Sequence, residues 1–215
     1  MSGGREAVLA RVRAALGPAV EIPEVRRDYH QAGALGAGGD SVTVGLFCAR
    51  VADYRATVRR VRGDELLGAL LAACEERKAR RIAVPAGAFA WTVEGVELVP
   101  DDPPLSPRQL NELDGVLSGC ALAIAETGTI VLDGAGASGR RALTLVPDYH
   151  LCVVRSEDIV PSVPDGVAAL ARVAAEGAPL TFISGPSATV DIELVRVEGV
   201  HGPRTLDVFV LDSTT

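Results

Sequence analysis

Among 215 residues there is one lysine against twenty arginines, four cysteines, three histidines, and only 4% aromatic side chains. So few rings exclude the stacking platforms that grip single-stranded nucleic acid. The net charge of −7 supplies no basic face for a duplex either. The cysteines stand alone at 48, 74, 120 and 152, the nearest two 26 residues apart, with no CxxC and no iron–sulfur cluster spacing. Each lies among apolar neighbours, as in Leu46-Phe47-Cys48 and Leu151-Cys152-Val153, so buried reduced thiols are expected. No two of the histidines (30, 150 and 201) have helical ligand spacing, and no metal site is expected. No apolar run approaches the ~20 residues of a bilayer span. The opening Met-Ser-Gly-Gly-Arg-Glu lacks the apolar core of a secretory leader. The expectation is a cytoplasmic protein with no cofactor of its own.

What the chain does have is a 48% hydrophobic content carried by Ala, Val and Leu, with 23% charged residues, the balance of a folded domain. A chain this long removes roughly 70% of its unfolded surface from water and needs no staple. Residues 1–81 hold fourteen of the 21 basic groups, including Arg55, Arg59, Arg60, Arg62, Arg77, Lys78, Arg80 and Arg81. A solvated face is the plain reading of that run, and a surface for an acidic partner is the other.

Val8, Val12 and Leu16 predict a helix over 5–16, ended by Gly17-Pro18. Residues 17–40 have no periodicity, so 1–40 reads as a helix on an extended arm and 41–215 as the domain. Strand-like segments are expected at 42–47 and 56–61. Asp64 caps a helix to about 80, with Leu67, Leu70, Leu71 and Cys74 on one stripe. Residues 81–85 and 96–99 read as strands, 106–113 as a helix, and 116–132 as two apolar runs broken at Glu126-Thr127-Gly128. A strand at 151–154, a helix from Val163 to Gly177, and strands at 181–184 and 206–211 complete the alternation. Short apolar strands between helices predict a three-layer α/β/α sandwich around a mostly parallel sheet.

Gly134-Ala-Gly136-Ala-Ser-Gly139 matches the dinucleotide-binding spacing, but Pro147 leaves room for under two turns of the helix that pattern requires, and a nucleotide-independent loop over an active site is expected instead, because Arg140-Arg141 immediately follow the glycines. In Glu126-Thr127-Gly128-Thr129, Gly128 permits a positive φ, and the two hydroxyls with the turn's N–H groups suit an anion. Ser184-Gly185-Pro186-Ser187 closes a strand, with Pro186 near a helix start that puts Ser187 and Asp191 on one face. His201 and Arg204 follow in a glycine-framed turn. Catalytic candidates are His201 as proton carrier, with Glu126 or Asp191 orienting it or acting as base. Thr127, Gly128, Thr129, Ser184, Gly185, Ser187 and Arg204 are the candidate substrate-binding residues, with Arg204 gripping a carboxylate or phosphate. Convergence at the carboxyl edge of the sheet is expected. A scaffold salt bridge from Arg204 to Asp191 or Glu193 is the competing reading.

These phrases in order resemble the LUD-domain family of lactate-utilization C proteins. The resemblance rests on 123–129, on Arg140-Arg141 through Leu145-Val-Pro147-Asp-Tyr-His150, on 183–193, and on Gly199-Val-His201-Gly202-Pro203-Arg204. It is strongest over 120–215 and extends weakly upstream. It implies a fold like the NagB/RpiA/CoA-transferase group. It also implies a non-redox subunit in the oxidation of L-lactate to pyruvate, beside partners that carry the iron–sulfur clusters, since this chain lacks the cluster-binding cysteines of larger members. The alternative function is a stand-alone enzyme on a phosphosugar, an acyl-CoA or a related anionic substrate.

Overall fold

Asp40 begins a helix where the alternation of 42–47 had read as a strand. Its carboxylate accepts the Thr43 N–H at 2.7 Å, and α2 (Ser41–Asp53) follows with Thr43, Val44, Phe47 and Val51 buried along one side. The β-branched Val42 and Thr43 favour a strand locally, but the cap and the spacing of Val44, Phe47 and Val51 decide otherwise. The computed structural model describes residues 3–17, 24–30, 33, 38–89, 92–189, 197–198 and 201–212. The chain divides into two units, Met1–His30 and Gln31–Thr215. The first carries α1 (Gly3–Leu16), which buries none of its residues.

The second unit is built on a six-stranded, wholly parallel sheet. Its strands are β1 (Thr57–Val61), β2 (Arg81–Val84), β3 (Glu97–Pro100), β4 (Gly115–Ser118), β7 (Tyr149–Arg155) and β12 (Thr205–Leu211), in the order β1-β12-β7-β4-β2-β3. A sheet buried on both faces needs strands apolar at successive positions. β4 and the first six residues of β7 meet that demand, being buried throughout. Register places Leu117, Leu151, Val153 and Phe209 on one face, against Leu66, Leu70, Ala73 and Cys74 of α3 (Leu66–Arg77). Helix α3 starts two residues after Asp64, whose carboxylate is spent on Arg62, and Leu67 points to solvent.

The other face carries Ser118, His150, Cys152, Val154, Val208 and Val210. The layer over it contains α2 and a second sheet that the sequence had not indicated. That sheet comprises β5 (Leu122–Ile124), β6 (Thr129–Leu132), β8 (Ile159–Val160) and β9 (Thr181–Ile183), in the order β8-β5-β6-β9. Ala123, Ala125, Ile130 and Leu132 face Cys152, Val154, Val208 and Val210, and α5 (Val163–Ala175) covers the far side through Leu170. The two apolar runs of 116–132 are therefore three strands shared between two sheets. The short helix α4 (Pro107–Asn111) opens with a capping box between Ser106 and Gln109. Among the described residues no helix follows Pro186. Strand β10 (Ala188–Thr189) pairs antiparallel with β11 (Val197–Glu198), which removes the helical face proposed for Ser187. Asp191 lies outside the described residues, as does Glu193.

Among the described residues all four cysteines are free. The arginine-rich surface is largely paired, through Arg59–Glu76, Arg60–Asp212, Arg62–Asp64 and Arg81–Glu97. It reads as a solvated, internally neutralised face. No helix among the described residues is long and apolar enough to cross a membrane.

Candidate functional site

Two turns and one strand end form a cleft of about 460 Å³, within the usual range of small-molecule sites. Its walls include Tyr54, Arg141, His150, Ser184, Ser187 and His201, with Phe182, Pro203 and Leu206 supplying apolar surface. Because His150 and Leu206 are the second residues of β7 and β12, the cleft opens at the amino ends of these strands. The expectation of a site at the carboxyl edge is thus corrected. At that edge the chain leaves β2 for β3 and returns to β4 beside β2, which is where a ligand crevice would form. The glycine-rich loop occupies it instead. The Gly119 N–H donates to the Ala137 carbonyl at 2.8 Å, and Gly139 packs on Pro85. A smaller cavity of about 300 Å³ remains nearby, between Gly119, Cys120, Ala137 and Arg155.

The turns are held by close backbone approach. Gly128 has φ +61°, and a Cβ there would lie 2.8 Å from Val51 N of α2. Gly185 has φ +121°, and a Cβ would lie 2.6 Å from Tyr54 Cβ. Both glycines therefore seat their turns on the last turn of α2, which no larger residue allows. A file of hydroxyls joins the turns, with Thr127 Oγ1 2.7 Å from Thr129 Oγ1 and Thr129 Oγ1 2.8 Å from Ser184 Oγ. Ser187 ties in the next segment. Its Oγ accepts the His201 N–H at 3.0 Å, and its N–H donates to the Pro203 carbonyl at 2.8 Å.

Thr127, Gly128, Thr129, Ser184, Gly185, Ser187 and His201 are thus one connected structure, and Ser184, Gly185, Ser187 and His201 line the cleft itself. Glu126 is directed elsewhere. Its Oε2 accepts the Val163 N–H at the start of α5 at 3.2 Å, and it lines a separate cleft with Arg50, Asp53 and Thr127. Tyr54 stands in the walls of both. Arg204 forms a fork with Asp148, Nε to Oδ1 at 2.7 Å and Nη2 to Oδ2 at 2.6 Å. These bonds hold the Asp148 carboxyl below the usual carboxylate range. Arg204 is therefore engaged in a scaffold pair with Asp148; Asp191 and Glu193, the partners expected for it, lie outside the described residues.

The cation facing the cleft is Arg141. It is exposed, lines the cleft, and has no carboxylate partner among the described residues. Its neighbour Arg140 is fully committed, with Nε 2.6 Å from Asp101 Oδ2 and Nη2 2.9 Å from Asp101 Oδ1. Beneath the cleft His150 is buried, with Nε2 2.7 Å from Ser118 Oγ of β4. Cys152, two residues along the same face, is held below the usual thiol range by a hydrogen bond from the Cys120 thiol, with His150 and Ser118 adding to the effect against its burial. The same contact pushes Cys120 up. Two of the scattered cysteines are thus brought together by the β4–β7 register. Among the described residues no three His, Cys, Asp or Glu side chains gather as a metal site. From sequence Arg141 had marked an active-site loop without being named a site residue, and His150 had been assigned no role. The signal for His150 was a polar residue opening an otherwise apolar, doubly buried strand.

A family model described as the LUD domain matches residues 105–211. The chain is 54% identical over 163 residues to lactate utilization protein C of Deinococcus radiodurans, covering 75% of this chain and 76% of that one. It is 36% identical over 109 residues to the uncharacterized protein YkgG of Escherichia coli K12, a match spanning 47% of each. Among solved structures it is similar to a DUF162 family protein from Deinococcus radiodurans, at 44% identity and TM-score 0.69, over 80% of this chain and 97% of that one.

Proposed function

The chain belongs to the LUD-domain family, and from that premise we propose that it is a component of lactate utilization that binds a small hydroxy or oxo acid in the amino-edge cleft. The observation that carries this reading is Arg141. An arginine without a carboxylate partner among the described residues, in a cleft lined by serine hydroxyls and two imidazoles, has the chemistry to receive a carboxylate. The ligand's carboxylate lies on the Arg141 guanidinium, with the Gly185 N–H and the hydroxyls of Ser184 and Ser187 beside it. His201, on the rim, and His150, on the floor, flank its second carbon. Names of relatives such as lactate utilization protein C support lactate or pyruvate as the acid. The chain acts in the cytoplasm with iron–sulfur partner proteins that accept the electrons, and this subunit holds the acid.

Calorimetric titration of L-lactate into the native protein and into Arg141→Gln tests the reading. Loss of a charge-assisted pair weakens binding about 10- to 100-fold. Undiminished affinity in the variant, or no binding by the native chain, overturns it.

A further inference from the structure

Two thiols meet on the carboxyl-edge side of the sheet, and the acid cleft does not use their chemistry. Strand β4 ends at Ser118, which register places opposite Cys152 in the middle of β7. The next two residues bring the chain against Cys152. Its Sγ lies 3.8 Å from the Gly119 carbonyl oxygen and is hydrogen-bonded to the Cys120 thiol. Access to the pair is one-sided. Cys152 is fully buried, whereas Cys120 is partly exposed and lines the cavity of about 300 Å³ together with Ala137, Arg155 and Asp158. The other two cysteines sit differently, Cys48 on α2 and Cys74 on α3, and burial pushes both of their thiols up. Such thiols are inert, whereas a reachable sulfur with a second sulfur behind it is the arrangement of an oxidisable cysteine and its resolving partner.

We propose that Cys120 and Cys152 form an oxidative modification site, in which a small hydroperoxide entering the carboxyl-edge cavity oxidises Cys120 and Cys152 resolves it to a disulfide. The cavity is at the small end of ligand sites, which suits a hydroperoxide and not a bulky peptide disulfide. Cys120 passes its proton across the hydrogen bond to Cys152, and its sulfur attacks the hydroperoxide. The O–O bond breaks, an S–O bond forms, and the departing alkoxide (hydroxide, for hydrogen peroxide) takes the proton from Cys152. The Cys152 thiolate then attacks the Cys120 sulfenic acid, forming the S–S bond and expelling hydroxide. The two sulfurs give up one electron pair, and the O–O bond receives it. Cys152 is suited to the second step, because the hydrogen bond from Cys120 holds it below the usual thiol range.

The test treats the reduced full chain with hydrogen peroxide near neutral pH, quenches in acid, then unfolds, alkylates and digests it for mass spectrometry. The expected product is a Cys120–Cys152 cross-linked peptide pair, lighter by two hydrogens and restored by dithiothreitol, with Cys48 and Cys74 recovered alkylated. That mapping needs no variant to fold. In Cys152→Ser the reaction stops at a Cys120 sulfenic acid that dimedone traps, and in Cys120→Ser the Cys152 thiol survives the treatment. Oxidation of Cys48 or Cys74 ahead of the pair, or Cys120 driven to the sulfonic acid with no disulfide, overturns the proposal. So does an equal yield of the same disulfide from chain unfolded in guanidinium before the peroxide is added, since the pairing then owes nothing to the fold. Oxidised glutathione producing the disulfide as fast as peroxide overturns the assignment of the oxidant.

Discussion

At the carboxyl ends of β2 and β4 the crevice of the parallel sheet is filled by its own chain, whereas at the amino ends of β7 and β12 it is left open. The contrast is sharpest in two adjacent residues. Arg140 turns toward the carboxyl edge and is locked by Asp101, a residue 8% exposed. Arg141 lines the cleft instead and has no such partner among the described residues. Identical side chains one position apart thus serve as scaffold and as candidate anchor, and only the fold distinguishes them. The general position of ligands in α/β sheets follows from free loops at the carboxyl ends. Here the glycine-rich loop occupies that position, and the turns seated on α2 build a cleft on the opposite side.

Substitutions that disturb one edge should leave the other readable. The largest effect is expected for Gly185→Ala, where a Cβ would lie 2.6 Å from Tyr54 Cβ at φ +121°. Strain and overpacking together cost about 3 kcal/mol, measured by urea unfolding, and the displaced turn also lowers acid binding. Arg140→Gln leaves the Asp101 carboxylate with a weaker partner and costs about 2 kcal/mol, with ligand affinity unchanged because the cleft lies elsewhere. Arg141→Gln changes stability by less than about 0.5 kcal/mol, its effect being on binding alone. A large loss of stability in Arg141→Gln would contradict the division of labour between the two arginines.

The smallest effect concerns Asp148, whose carboxyl Arg204 holds below its ordinary value of 3.8. A group depressed in the folded state adds stability above its unfolded value, and that stability is lost as pH falls through the folded one. The window is therefore below about pH 4. Both side chains are more than half exposed, so screening limits the contribution to a few tenths of a kcal/mol. Urea midpoints between pH 6 and pH 3 should fall slightly less in Arg204→Ala than in the native protein. An identical fall in both would remove the pair from the acid sensitivity of the fold.

How far the sequence reached depends on whether a feature is local. The stripe of Leu70 and Cys74, the apolar runs of β7 and β12, and the turn at Gly128 are local patterns, and each forms near its expected place. Helix α2 was misread because Val42 and Thr43 are β-branched, while the deciding contact is a single cap from Asp40. The small sheet escaped notice because strands of three or four apolar residues read alike in either sheet. Within the site, the hydroxyl and glycine turns could be recognised from composition. Arg204 could not, since its partner Asp148 is 56 residues away. His150 owes its place to strand register, which brings Ser118 beside it from another strand.

The choice between the two edges is read most directly by titrating L-lactate into the ¹⁵N-labelled protein and following the backbone amides. If the cleft at the amino ends receives the acid, the amides of Arg141, Gly185, Ser187 and His201 move together and saturably, while those of Gly119, Ala137 and Arg155 stay in place. Shifts concentrated at Gly119, Ala137 and Arg155, with the first group unmoved, would put the ligand at the carboxyl edge and contradict the assignment.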